Sequence, residues 1–376
     1  GIDVVLIDRD QDAADKGKAY SEGLLDKAIS RRHSTQEKKQ ALLDKITPTT
    51  DYTQLGDCDL IIEAVFEDKE IKRAVTEQTD AATGENCIFA SNTSTIPISD
   101  LAKASKNASN FIGIHFFSPV DKMMLVEIIM GDETSDAALA MAIDYVMAIK
   151  KTPIVVNDTR GFYVNRCVMR YLNEAWNMLV EGVPVAMIDN VARMTGMPVG
   201  PLTLNDAVAI DLSQKVMKQT VADLGEGAVD PRHAKLINTL VDDHGRIGKK
   251  AGKGFYDYPP KPAKPKLWPN LKQMYPQQDA ADISIEDLRD RYLYTIAMEA
   301  ARTVEEGVVN DIREADIGAI LGFGFAPYTG GPLSFIDETG LANFAQRAQE
   351  LAGKYGDHFK PAALILEMAQ NGETFY

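Results

Sequence analysis

One histidine and one acid in this chain have the types and surroundings of a proton-transfer pair. His115 ends the apolar run that begins at Phe111, and Glu127 sits inside Leu125-Val126-Glu127-Ile128-Ile129. A carboxylate flanked on both sides by Leu, Val and Ile is expensive to bury unpaired, and an imidazole is the partner that makes chemical sense. Bound to one ring nitrogen, a carboxylate fixes the tautomer and raises the basicity of the other, which makes a general base near neutral pH. The competing reading is a structural ion pair, and His115 alone would read as a hydrogen-bonded core residue. Asn165, in Asn157-Asp158-Thr159-Arg160-Gly161-Phe162-Tyr163-Val164-Asn165-Arg166, opens the helix that follows. Its amide can donate to a carbonyl oxygen that gains charge, or equally well cap the helix.

Other candidates close apolar runs. Asp8 follows Val4 to Ile7. In a dinucleotide fold such an acid accepts both hydroxyls of the adenosine ribose and favours NAD over NADP; elsewhere it is a turn-former. The fingerprint G-x-G-x-x-G belongs about 20 residues before that acid, and only seven residues precede it here, so the chain does not contain it. Ile61-Ile62-Glu63-Ala64-Val65-Phe66-Glu67-Asp68 runs into acids, with Lys69 and Lys72 following. At the carboxyl edge of a doubly wound sheet, Val65, Phe66 and Glu67 would line a cofactor cleft and Lys72 would reach polar cofactor groups; a solvated helix start is the alternative. Ser91-Asn92-Thr93-Ser94 gathers small polar side chains at the same edge. Capping, with Pro97 in the first turn, accounts for one or two of them and leaves hydroxyls for a ligand.

Positioning these groups takes strands and helices in alternation. Val4–Ile7, 60–65, 87–90, 111–115, Leu125–Met130 and 153–156 are continuous in apolar residues, as strands buried on both faces are. The charged stretch 15–45 reads as a helical hairpin between the first two. The expected first half is thus a parallel sheet of the Rossmann type, lacking its first strand and Gly-rich loop. From Phe162 the period is helical and the second half is expected to be all α. It repeats itself: Glu174-Ala175, Glu181-Gly182-Val183, Asp189, Gly200-Pro201-Leu202 and Asp206 recur as Glu299-Ala300, Glu306-Gly307-Val308, Asp316, Gly331-Pro332-Leu333 and Asp337. A proline-dense stretch from Tyr258 to Pro276 separates the copies and reads as a semi-rigid linker. Ser284 with Asp287 offers a capping box for the next helix. The division is therefore 1–156, an incomplete dinucleotide-binding domain; 157–258, a first helical unit; 259–283, the linker; and 284–376, a second helical unit.

Composition narrows the function. The 376 residues carry a formal charge of −15, which repels polyanions and argues against a nucleic-acid partner. No run of about 18 apolar residues could cross a bilayer. Cys58, Cys87 and Cys167 are odd in number and widely spaced, which supports neither a disulfide framework nor a zinc site and fits a reducing compartment such as the cytoplasm. The start, Gly1-Ile2-Asp3-Val4, has no basic n-region and reads as the middle of something longer.

Taken in order, 62–68, 91–94, Gly113-Ile114-His115-Phe116-Phe117-Ser118-Pro119, 125–127, 158–166, 200–202 and Gly248-Lys249-Lys250-Ala251-Gly252-Lys253-Gly254-Phe255-Tyr256 make the chain similar to the L-3-hydroxyacyl-CoA dehydrogenase family. Within it, the duplicated helical half resembles the multifunctional branch, the dehydrogenase part of the fatty acid β-oxidation complex α-subunit. The resemblance implies that His115 is the catalytic base and Glu127 its orienting partner. It implies that Ser94 and Asn165 hold the 3-oxygen of the substrate, and that Asp8, Val65, Phe66, Glu67, Lys72, Ser94 and Ser118 contact NAD. Acyl-CoA would lie between two domains, and 3-hydroxyacyl-CoA would be oxidised to 3-ketoacyl-CoA. A thiolase-type partner and an oligomer follow from the same likeness, whereas no hydratase activity is expected, because the region that carries it is missing. Two other readings stay open. One is a different two-domain 3-hydroxy acid dehydrogenase, and the other is a catalytically impaired, truncated chain serving as an assembly subunit.

Overall fold

The computed structural model describes residues 1–376. Its elements are β1 (Val4–Ile7), α1 (Gln11–Ser30), α2 (Gln36–Leu43), β2 (Ile46–Thr49), β3 (Leu60–Glu63), α3 (Lys69–Ala82), β4 (Ile88–Ser91), α4 (Ile98–Ala102), β5 (Phe111–Phe116), β6 (Leu125–Met130), α5 (Asp136–Ala148) and β7 (Thr152–Asn157). The helical part follows with α6 (Val164–Val180), α7 (Val185–Met194), α8 (Pro201–Val208), α9 (Ile210–Leu224) and α10 (Pro231–Asn238). Then come β8 (Tyr256–Asp257), β9 (Lys266–Leu267), α11 (Leu271–Met274), α12 (Ile285–Glu305), α13 (Ile312–Phe323), α14 (Pro332–Thr339), α15 (Leu341–Tyr355) and α16 (Ala363–Asn371). The chain condenses into two compact units, Gly1–His115 with Ile128–Tyr145, and Phe116–Glu127 with Val146–Tyr376. No helix is long and apolar enough to cross a membrane.

The first unit is Rossmann-like, with its strands in two sheets. β1 pairs in parallel with β2, and β3, β4 and β5 pair in parallel in that order. β4 and the first five residues of β5 are wholly buried, as strands covered on both faces are. The apolar residues of β1 and β3 are only partly covered, because each has a partner strand on one side alone. β2 was not foreseen from the sequence. Pro48 demotes Ile46–Thr49 as a strand, and it is tolerated because β2 lies at a sheet edge, where a missing N–H costs no ladder bond. β3 stops at Glu63 rather than continuing to residue 65, because the Glu63 carboxylate accepts from the Val65 amide at 3.2 Å and turns the chain. Helices begin where short polar side chains satisfy their first amides: Asp10 accepts from Ala13 N for α1, and Asp68 from Glu70 N and Ile71 N for α3.

In the second unit the sequence repeat becomes a repeat of contacts. Asp189 accepts from Leu202 N (2.8 Å), Thr203 N (3.1 Å), Thr203 Oγ1 (2.6 Å) and Tyr256 OH (2.8 Å). Asp316 accepts from Leu333 N (2.8 Å), Ser334 N (3.1 Å), Ser334 Oγ (2.6 Å) and Tyr376 OH (2.9 Å). Gly200 and Gly331 let these acids approach, since a Cβ on either would lie 2.3 Å from the aspartate. Asp206 takes the amides of Phe255 and Tyr256, and Asp337 those of Phe375 and Tyr376. The duplication therefore extends to Phe375-Tyr376, further than the sequence reading carried it. Ser284 caps α12 through Asp287 N, as its spacing predicts. The second half departs from the all-helical expectation at one place. β8 and β9 pair as a small antiparallel ribbon, clasped where Arg246 lies over the Trp268 ring at 4.4 Å and bonds to Asp257.

α6 and α12 pack against each other through two equivalent clusters. Arg166 on α6 reaches Glu299 through Nε (2.9 Å) and Glu306 through Nη1 and Nη2, while Arg291 on α12 reaches Glu174 through Nε and Glu181 through Nη1 (2.7 Å) and Nη2 (3.1 Å). Beside the second cluster, His233 is buried with Nε2 2.9 Å from Asn177 Oδ1 and its ring edge-on to Trp176. Burial lowers its pKa from 6.5 to about 4. A depressed histidine contributes stability that is present above the unfolded value and lost as pH falls through the folded one. From pH 6.5 down to 4 this group should cost the fold about 3 kcal/mol. Urea unfolding of the protein and its His233→Gln variant at both pH values checks this, and an equal acid loss in the two proteins would refute it.

Candidate functional site

In the first unit the carboxyl ends of β3, β4 and β5 lie side by side, with Glu63 in register with Ser91 and Ser91 with Gly113. Val65, Phe66 and Glu67 follow β3, Ser94 follows β4, and His115 is the penultimate residue of β5, so this edge collects five of the expected residues. Val65 and Phe66 are exposed there. His115 is only 4% exposed. Asp8, just past β1, is exposed, and its Oδ1 accepts from Arg9 N at 2.7 Å.

Glu63 and Glu67 organise this edge. Glu63 is buried and receives Lys72 Nζ at 2.9 and 3.1 Å and the Ser91 hydroxyl. Lys72 is 1% exposed and also lies 3.5 Å from Glu67. A buried ammonium held by two carboxylates does not extend into a cleft, so Lys72 here ties α3 to the end of β3 and the loop after it, where the sequence suggested a direct reach toward cofactor. Glu67 Oε1 collects Thr93 Oγ1 (2.8 Å), Ser94 N (2.9 Å), Thr95 N (2.9 Å) and Thr95 Oγ1 (3.0 Å). Burial opposes its charge, but the Thr93 hydroxyl, the Lys72 ammonium and the two amides outweigh that and hold its pKa below the usual carboxylate value. Thr93, Ser94 and Thr95 thus wrap Glu67, and α4 starts after Pro97 with no side-chain cap.

The second unit carries Ser118, Glu127 and Asn165. Ser118 is exposed in the turn after β5, a turn held by Lys151 Nζ on the carbonyls of Val120 (2.6 Å) and Met123 (2.5 Å). Glu127 is fully buried, and its Oε1 accepts from Tyr163 N at 3.2 Å and Val164 N at 2.7 Å. Those are the first amides of α6, so the acid sits where the helix end presents unsatisfied donors and positive partial charge. Gly161 at φ 76° and the buried Phe162 at φ 52° turn the chain sharply into that helix. A left-handed phenylalanine persists only where its surroundings impose it. Asn165 is the second residue of α6, past the capping position at Tyr163, which removes the capping alternative. Sequence reasoning assigned no role to Glu63 or to the Tyr163 and Val164 amides. Glu63 had the same signal as Glu127, an acid inside an apolar run, whereas the amides had none.

Comparisons with known proteins give the family and the fold. Residues 1–159 match the family model of the 3-hydroxyacyl-CoA dehydrogenase NAD-binding domain, and residues 161–258 that of its C-terminal domain. The fatty acid oxidation complex subunit alpha of Shewanella frigidimarina is 41% identical over 361 residues, which are 95% of this chain and 50% of that protein. The chain spans about half the length of the curated relatives it matches. The structure of (S)-3-hydroxybutyryl-CoA dehydrogenase from Ralstonia eutropha aligns with TM-score 0.62 and 37% identity, covering 69% of this chain and 91% of that one. That of 3-hydroxybutyryl-CoA dehydrogenase from Escherichia coli K12 aligns with TM-score 0.84 and 24% identity over 99% of this chain and 94% of that one, a likeness of fold.

Proposed function

The chain belongs to the 3-hydroxyacyl-CoA dehydrogenase family, and from that premise we propose that it oxidises L-3-hydroxyacyl-CoA to 3-ketoacyl-CoA in fatty acid β-oxidation. NAD, when bound, accepts the hydride from C3 of the substrate. The donor set fits such a cofactor: Asp8 closing β1 for the ribose hydroxyls, Val65, Phe66 and Glu67 after β3, Ser94 after β4, and Ser118. His115 takes the hydroxyl proton on a ring nitrogen and is oriented by Glu127, whose carboxylate compensates the imidazolium. Ser94 and Asn165 hold the 3-oxygen. As domains we assign 1–156 to the cofactor, with helical units at 157–258 and 284–376 joined through 259–283. A thiolase-type partner and an oligomer are part of this reading, as is a place in the cytoplasm.

The observation that carries it is the pair of dedicated supports. Glu67 fixes the loop bearing Ser94, and α6 fixes Glu127 one residue before it presents Asn165. The test follows absorbance of NADH with 3-hydroxybutyryl-CoA and NAD, and turnover above about 1 s⁻¹ is expected. The half-covered β1 and β3, each paired on one side only, favour a second reading, a catalytically impaired assembly subunit. No NADH from a folded sample would select it.

A further inference from the structure

We propose that the second helical unit, α12 to α16, is a positioning element of the dehydrogenase site, acting on the segment that carries Asn165 and grips Glu127. The inference rests on the dehydrogenase reading above and names residues that reading leaves without a task. From β7 into α6 the segment is held by this unit at successive points. Val156 bridges Val309, Asn157 N donates to Val308 O (2.8 Å), and Asn157 Nδ2 donates to Gly307 O (2.7 Å). Tyr163 is fully buried, and its hydroxyl donates to Ala315 O at 2.8 Å. α13 can lie this close because it presents glycine. A Cβ at Gly318 would stand 2.8 Å from Ile154 and 3.1 Å from Tyr163, and one at Gly322 would stand 2.9 Å from Val164 and 3.0 Å from Leu125. Next to Asn165, Arg166 is clamped by Glu299 and Glu306.

The two sides of the repeat are used differently. On the other side the equivalent glutamates, Glu174 and Glu181, hold Arg291, and Gly182 O accepts from Gln278 N of the linker at 2.8 Å. That side lies toward the far end of α6 from Asn165, with Glu181 at its C-cap. Glu299, Glu306 and Gly322 therefore act through Arg166 and Val164 on the first turn of α6, and so on the Asn165 amide and on the two amides that bind Glu127. A displacement of about 1 Å at such a turn is worth up to about a hundredfold in rate.

The repeat supplies its own control. Glu306→Gln and Gly322→Ala should each lower kcat about tenfold or more, with KM for acyl-CoA and NAD within about twofold of the parent. Glu181→Gln, which loses the equivalent ion pair on the linker side, should keep kcat within about twofold at a similar melting temperature. Equal kcat losses in Glu306→Gln and Glu181→Gln that track melting temperature would reduce the unit to a structural role and overturn the inference, as would unchanged kcat in Glu306→Gln and Gly322→Ala. Hydrogen exchange reads the same device without turnover, so it decides even if the parent chain makes no NADH and the dehydrogenase reading itself fails. The Tyr163 and Val164 amides should exchange about tenfold faster in Glu306→Gln and Gly322→Ala but not in Glu181→Gln. Unchanged exchange at those amides would overturn it.

Discussion

His115→Gln lowers the rate of NADH formation from 3-hydroxybutyryl-CoA by about 10² to 10⁴ and leaves KM for both substrates nearly unchanged. That range is what a positioned general base supplies, and glutamine keeps hydrogen-bonding capacity without a basic site. The loss belongs to kcat because the proton moves only as the C3 hydrogen departs, so the interaction is made in the transition state. Glu127→Gln is expected to fall between the parent and the His115 variant in rate, and it should also melt earlier. The same carboxylate binds two amides at the start of α6, and a neutral amide is a weaker partner for them. Steady-state rates and melting curves measured on both variants separate the two roles. Equal rates for the parent and His115→Gln would eliminate the proposed base.

Arg291→Met should destabilise the protein by about 3 to 5 kcal/mol, the usual consequence of leaving one partner of a buried ion pair uncompensated. Arg291 and Glu174 are each 1% exposed at the side chain. Without the guanidinium, Glu174 keeps only Asn177 Nδ2 at 3.0 Å and His358 Nε2 at 2.8 Å. The arginine also lies over the Tyr355 ring at 4.2 Å, so packing is lost with charge. Urea unfolding should show the full loss, and Glu174→Gln placed on top of Arg291→Met should restore part of it by removing the stranded charge. A loss under about 1 kcal/mol in the single variant would show that the cluster does not bind α6 to α12.

Much of the first unit was legible because parallel strands buried on both faces are continuous apolar runs. Val4–Ile7 and Leu125–Met130 were read with the boundaries they have. Pro48 hid β2, since a proline rules out a central strand and sequence does not reveal which strand lies at an edge. His115 and Glu127 stood out by composition, an imidazole closing an apolar run and an acid inside one. The partners of Glu127 did not, because the amides of Tyr163 and Val164 reach it only when α6 folds back onto β6. Lys72 reads from sequence as a cation that reaches cofactor groups or stands at a solvated helix start, and its burial becomes visible only once Glu63 and Glu67 are seen to converge on it. In the helical half, paired motifs exposed the duplication, but Phe375-Tyr376 escaped notice because two aromatic residues carry too little pattern without Asp316 and Asp337 to receive them.

The reciprocal clusters between α6 and α12 also set an order of events at the ribosome. Glu174 precedes its cation Arg291 by 117 positions. At about 5 to 20 residues per second, the first helical unit waits roughly 6 to 23 seconds, its central acid uncompensated, before the partner that neutralises it is made. The buried pairs form only when both helices are present, so α6 and α12 should close in a single cooperative step once α12 has emerged.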